Sequence, residues 1–166
     1  MARQECNEPA GRVVKEAAVS MIFRPVASGL ALLFIRRASN PEDPWSGHMA
    51  FPGGRRAEHD PDLVSTAIRE AREEVGVSLR EANLLGGLSP LKAISQRRES
   101  GLYIWPYVFY LPHEPELCPE PAEVEEIVWI PWAYLSAPEH RSTMQWRRFG
   151  VKLRLPKIDY EGRTIR

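Results

Sequence analysis

Cysteine is scarce in this chain of 166 residues: Cys6 and Cys118 stand far apart, with no CxxC spacing. A disulfide scaffold is thereby excluded, and the usage suits a reduced cytosolic protein. Charge bias is absent as well. Lys plus Arg and Asp plus Glu each number 22, so the chain as a whole has no pull toward nucleic acid or an anionic membrane, and any anion-binding surface must be local. No run approaches the ~20 apolar residues that span a bilayer. The opening "MARQECNEPAGRVVKEAAVS" also lacks the apolar centre of a secretory signal. The expectation is a soluble, cytoplasmic protein forming one domain over residues 1–166. Internal repeats and low-complexity segments are missing too.

What is present reads as a mixed α/β domain, a sheet covered by helices. "AAVSMIFRP" and "GLALLFIRR" form a strand pair around a turn at Pro25 to Gly29. "ASNPEDPWSGHMAFPGG" is a loop with a short strand near His48 to Phe51. Asp60 followed by Pro61 marks a helix start, because aspartate caps free backbone N–H groups and proline at the first position loses nothing. The spacing predicts a helix over Pro61 to Val75, stopped by Gly76. "LLGGLSPLKAI" and "GLYIWPYVFYL" read as strands, the second with Pro106 suggesting an edge or a bulge, and "SQRRES" as an exposed connection. A further strand over Val124 to Ile130 leads into a short helix at "PWAYLSAP". The tail "VKLRLPKIDYEGRTIR" reads as a hairpin turning at Glu161 and Gly162.

At 100° per residue, Leu63, Val64, Ala67, Ile68, Ala71 and Val75 share a stripe roughly 140° wide, the face a core-packed helix needs. Glu70, Glu73 and Glu74 lie on an arc of roughly 100° that borders the stripe. Carboxylates at this spacing repel by a few tenths of a kcal/mol per pair. Arg69, Arg72 and solvent can offset that. So can a divalent cation, since hard ions take oxygen ligands and bridge carboxylates to substrate phosphates. The preceding "FPGG" favours the cation, because two glycines let backbone approach a ligand closely.

"GGRRAEHDPDLVSTAIREAREEVGV" resembles the Nudix box, GX5EX7REUXEEXGU with U aliphatic. Arg69, Glu70, Ala71, Glu73, Glu74, Gly76 and Val77 match its second half. The stretch from Gly54 to Arg69 is one residue longer than the family form, and the leading glutamate is replaced by Asp60 or displaced to Glu58. With the lead-in "SGHMAFPGG", this expansion resembles the coenzyme A pyrophosphatase-like subgroup.

The resemblance implies an α/β/α sandwich with a mixed central sheet. It also implies metal-dependent hydrolysis of a nucleoside diphosphate linked to another moiety. Coenzyme A is the first substrate expected; ADP-ribose, nucleotide sugars and dinucleoside polyphosphates are alternatives. A non-catalytic nucleotide sensor on the same fold would lack box glutamates, and an isomerase would need a cysteine near the box. By motif position, Glu70, Glu73 and Glu74, with a carbonyl of Gly53 or Gly54, would bind magnesium, for which manganese can substitute. Arg69 would orient a box carboxylate, with Asp60 and Gly76 in structural roles. The general base would be Glu70, Glu73 or Glu123. Arg36, Arg37, His48, Gly53 and Arg55 are the expected substrate contacts, and Trp45, Tyr103 and Trp105 the aromatic side chains able to stack on a base. The expected partner is a nucleotide diphosphate, with no nucleic acid or membrane, and a homodimer is a compatible assembly.

Overall fold

A computed structural model describes residues 15–41, 45–94, 99–148 and 151–166. Cys6, and the part of "SQRRES" at 95–98, lie outside the described residues. In chain order the elements are β1 (Lys15–Val26), β2 (Gly29–Arg37), β3 (Met49–Ala50), β4 (Gly53–Arg55), α1 (Leu63–Val75), β5 (Leu84–Gly87), β6 (Leu91–Ile94), β7 (Glu99–Tyr110), β8 (Val124–Pro131), α2 (Trp132–Ser136), β9 (Arg141–Arg148), β10 (Val151–Tyr160) and β11 (Arg163–Ile165).

The first eight strands make one mixed sheet in the order β3-β2-β1-β7-β5, with β4 on β1, β6 on β7 and β8 on β2. β1 and β7 run parallel from Lys15↔Leu102 to Phe23↔Tyr110, while β1 and β2 are an antiparallel hairpin. Apolar residues alternate on β2 and fill both faces. Leu33 and Ile35 join Ala18, Ile22, Ala67, Ala71, Val75 and Phe109 beneath α1. Leu32 and Phe34 join Met49, Ile130 and Leu135 on the other face, beside α2. A helix on each face of a mixed sheet is the layering expected. The period of two on the strands and the helical stripe on α1 account for it, because each buries one apolar side per layer.

Three local readings change. The helix begins at Leu63, and its cap is Asp62, whose carboxylate accepts the Ser65 N–H at 2.7 Å. Asp60 does other work, described below. β7 is no edge strand: it lies between β1 and β5/β6. Pro106 falls in the gap between the β5 pairing, which reaches Tyr107, and the β6 pairing, which begins at Ile104, so its missing N–H costs no ladder bond there. Its carbonyl still accepts the Leu88 N–H at 2.8 Å. The tail hairpin turns at Glu161 (φ 46) and Gly162 (φ 79) as expected, two successive left-handed residues suited to a tight turn. It also gains a partner: β9 pairs along β10 from Arg141↔Ile158 to Arg148↔Val151, making a second, three-stranded sheet. Ile158, Tyr160 and Ile165 of that sheet lie against the α2-side core.

Candidate active site

The site is assembled where β4 is wedged against β1. Gly53 pairs with Val19 and Gly54 with Ala18. A Cβ on Gly53 would lie 2.3 Å from the Ala18 carbonyl oxygen and 2.6 Å from the Val19 Cα, so only glycine permits the strands to close. A Cβ on Gly54 would strike not backbone but the Glu70 carboxylate, at 2.4 to 2.7 Å. The glycine pair is therefore a cradle on which one box glutamate already lies. Glu74, one turn further along α1, accepts the Gly53 N–H at 2.8 Å and is 2% exposed.

Arg69 fixes this geometry from the other side. Its Nε and one terminal nitrogen each donate to a different oxygen of Asp60 at 2.9 Å. Its other terminal nitrogen donates to Glu70 at 2.8 Å and to Glu73 at 2.7 Å, and the Asp60-bound terminal nitrogen also reaches the Arg55 carbonyl at 3.2 Å. Asp60 is buried, and it also accepts from the Ala57 N–H and the Thr66 hydroxyl, both at 2.9 Å. Of the two acids offered for the leading position of the box, Asp60 is the one that bonds Arg69, and Glu58 is exposed.

Electrostatically the site is short of positive charge. Burial pushes the Glu74 carboxyl up to about 7; the Gly53 N–H and Arg37 pull it down, and the charges of Glu70 and Glu123 push it further up. Burial also raises Glu70, against the opposing pull of Arg69, with Glu73 and Glu123 adding to the rise. Glu123 thus belongs to the same field although it is exposed and comes from a different part of the chain. The proline-rich loop delivers it by running along the end of α1. The Cys118 N–H donates to the Val75 carbonyl and the Glu120 N–H to the Glu74 carbonyl, both at 2.9 Å. Gly76 (φ 74), the left-handed cap of α1, leaves room for Cys118; a Cβ there would lie 2.7 Å from the Cys118 Cβ. The Glu123 carbonyl then accepts the Ala38 N–H at 2.9 Å, which sets Glu123 beside the end of β2.

Arg37 at that end faces the box, 3.9 Å from Glu74. Its neighbour Arg36 does not. Successive strand residues point to opposite faces, and Arg36 bonds Glu126 at 2.7 Å on the α2 side. His48 is also away from the glutamates, accepting a hydrogen bond from Arg166. Arg55 is exposed next to the glycine pair, and Trp105 lies in the cross-strand row Gly54–Ala18–Trp105, two strands from the cradle. The Trp105 indole N–H is buried with no acceptor. Tyr103 sits farther along β7, and Trp45 accepts the His48 N–H through its carbonyl. Glu126 stands opposite Arg36 on β8, and Arg163, which shares that carboxylate, has no local signal in the sequence; only the return of the final hairpin brings it there.

A family model described as NUDIX domain matches residues 14–147. The chain belongs to the Nudix family. An uncharacterized protein of Schizosaccharomyces pombe is 38% identical over 124 residues, covering 73% of this chain and 38% of that protein. The uncharacterized Nudix hydrolase NudL of Yersinia pestis is 31% identical over 147 residues, covering 89% of this chain and 69% of the relative. The chain thus spans well under half the length of the S. pombe relative. Among solved structures, the MutT/nudix family protein from Enterococcus faecalis superposes with a TM-score of 0.63 at 17% identity, over 96% of this chain and 53% of that one. The NUDIX domain of Shewanella oneidensis NrtR, solved with ADP ribose, gives 0.60 at 19% identity, over 75% and 77%. At these identities the superpositions establish the Nudix fold.

Proposed function

We propose that this Nudix chain hydrolyses the phosphoanhydride bond of a nucleoside diphosphate joined to a second moiety, releasing a nucleoside monophosphate and a phosphorylated product. The observation that carries the reading is the Glu70 carboxylate lying on Gly54 while Glu74, buried and pushed up to about 7, is held by the Gly53 N–H. Carboxylates crowded on a backbone cradle are a poor arrangement for stability alone. They suit a site that handles a cation and phosphates.

The donor set fits a hard divalent ion, magnesium or manganese: every candidate ligand is oxygen, and the acids repel one another in the absence of added positive charge. Glu70, Glu73 and Glu74, with the Gly54 carbonyl, would hold it. Among the described residues no three such side chains are already drawn to ligand spacing; Arg69 engages Glu70 and Glu73 instead. When bound, the ion would neutralise the diphosphate and lower the pKa of the attacking water.

The chain's own residues supply the rest. Arg69, tied to Asp60, orients Glu70 and Glu73 toward the cradle. Arg37 and Arg55 lie close enough to the box to receive phosphate oxygens, and Trp105 can offer a ring face to a base. Glu123, solvent-accessible and within the field of Glu70 and Glu74, would accept the proton of the attacking water. Glu70 and Glu73 are the alternatives for that role. A coenzyme A-like substrate is favoured by the expanded box and the "HMAFPGG" lead-in. ADP-ribose, nucleotide sugars and dinucleoside polyphosphates are the next candidates.

The test is a panel of nucleoside diphosphate derivatives, incubated with and without magnesium, with both products identified. Turnover that needs the metal and collapses in Glu73→Gln supports the reading. If no member is cleaved and Glu73→Gln behaves as the parent does, the reading fails. Water labelled with heavy oxygen would identify which phosphorus is attacked.

A further inference from the structure

On the sheet face away from α1 there is a cavity of about 270 Å³, lined by Arg36, Met49, Met144, Gly162, Arg163 and Arg166 among others. It lies between the end of β2 and the β10–β11 turn, and the box contributes no side chain to its lining. We propose that it binds the phosphate group of an organic phosphate, at a site separate from the box.

Charge comes first. Arg36 donates to one oxygen of Glu126 at 2.7 Å, and the Arg163 Nε lies 3.1 Å from both oxygens of the same carboxylate. One inner acid thus serves two guanidiniums, which hold it well in its ionised form. Arg166 adds a third guanidinium, and the acceptor it meets is a His48 ring nitrogen, not a carboxylate. Among the described residues, the other acids paired with these guanidiniums are outer ones: Glu125, 3.7 Å from the Arg36 Nε and 49% exposed, and Glu161, 3.4 Å from Arg163 and 67% exposed. Solvent screens acids so placed, so they compete weakly with an anion inside the cavity.

A second observation is independent of that sum. The Arg36 Nε is buried and has no hydrogen-bond acceptor, its ion-pair partner Glu125 standing off at 3.7 Å, and a buried donor left without an acceptor is costly. A phosphate oxygen is the acceptor that guanidinium forks match best. The lining is not all polar: Met49 and Met144 supply two flexible thioethers, which mould to an organic body of irregular shape. Guanidiniums and methionines in one lining fit a phosphate carried on an organic group.

The chain has 4 methionines, two of them in this wall, so methyl-labelled methionine gives a direct NMR probe. The full chain, kept metal-free with a chelator, would be titrated with adenosine 3′,5′-bisphosphate, AMP, inorganic phosphate and adenosine. The expected result is saturable movement of the Met49 and Met144 methyls with the phosphates and none with adenosine. Arg163→Gln should weaken that binding about tenfold or more, the loss expected for a hydrogen bond to a charged group. Arg36→Lys, which keeps charge but loses the fork, serves as the second variant should Arg163→Gln fold poorly, and it should also weaken binding. Glu73→Gln should bind as the parent does. Saturation by inorganic phosphate as well would identify the phosphate group itself as sufficient; saturation by the nucleotides alone would assign a share to the methionine wall. Equal response to adenosine, no saturation, or unchanged affinity in both arginine variants overturns the proposal. Because neither metal nor turnover enters the measurement, failure of the hydrolytic reading would leave its outcome intact.

Discussion

Asp60 and Arg69 meet fork to fork, with two nitrogens of the guanidinium each donating at 2.9 Å to a different oxygen of a buried carboxylate. The pair joins the loop before α1 to the helix itself, and the same guanidinium then reaches Glu70 and Glu73. Stability and site geometry therefore share one residue.

Removing one partner of a buried pair leaves the other uncompensated, at a cost of about 3–5 kcal/mol. Asp60→Ala should lose stability in that range in urea titrations, whereas Glu58→Ala, on the exposed side of the loop, should stay within about 0.5 kcal/mol of the parent. Arg69 holds the Asp60 carboxyl far below the ordinary carboxylate value. The sign follows: its contribution is present above the unfolded-state value of 3.8 and is lost as the pH falls below it through the folded-state value. Acid unfolding of the parent should accordingly include a component that Asp60→Asn lacks.

Glycine 53 and glycine 54 should fail differently. In Gly54→Ala the obstacle is the far end of the Glu70 side chain, which can swing aside, so the fold should survive while the carboxylate is displaced. A loss of turnover of about a hundredfold with a nearly unchanged melting temperature is expected, as for a misplaced reacting group. Gly53→Ala meets β1 backbone instead and should lower stability itself, by about 1–3 kcal/mol.

Metal-free protein should become less stable between pH 4.5 and about 7. The unfolded chain ionises Glu74 from 4.5 upward, while the folded chain keeps the proton until about 7. The unfolded state therefore gains over that interval, by on the order of 3 kcal/mol in all, and the penalty is constant above it. Thermal scans across this range should show the slope, Glu74→Gln should flatten it, and magnesium should restore stability at neutral pH.

The sequence made much of this legible, and the failures share a physical cause. Gly76 and the Glu161–Gly162 turn were readable because left-handed backbone leaves a mark on residue type. Asp60 reads as the cap because Pro61 follows it, yet Asp62 also precedes the helix and it is Asp62 that accepts the Ser65 N–H; residue type alone does not part the two. β9 was missed because its strand character lies in pairing with β10, a non-local fact. Arg36 and Arg37, by contrast, could have been parted from the outset, since neighbours on a strand must face opposite ways. The cavity behind Arg36 could not: Gly47, Met144 and Arg163 meet only after the last hairpin returns.

Strand β2 carries two arginines to two destinations, one beside Glu74 and the other beside Glu126. Their assignment follows parity along β2, at the point where the pairing with β8 steps from Glu126 to Val124. A deletion of one residue between Leu33 and Arg36 would turn every later side chain of the strand over, exchanging the box arginine for the cavity arginine while leaving composition almost untouched. Substitutions along this strand can be inherited one at a time, but changes in its length cannot.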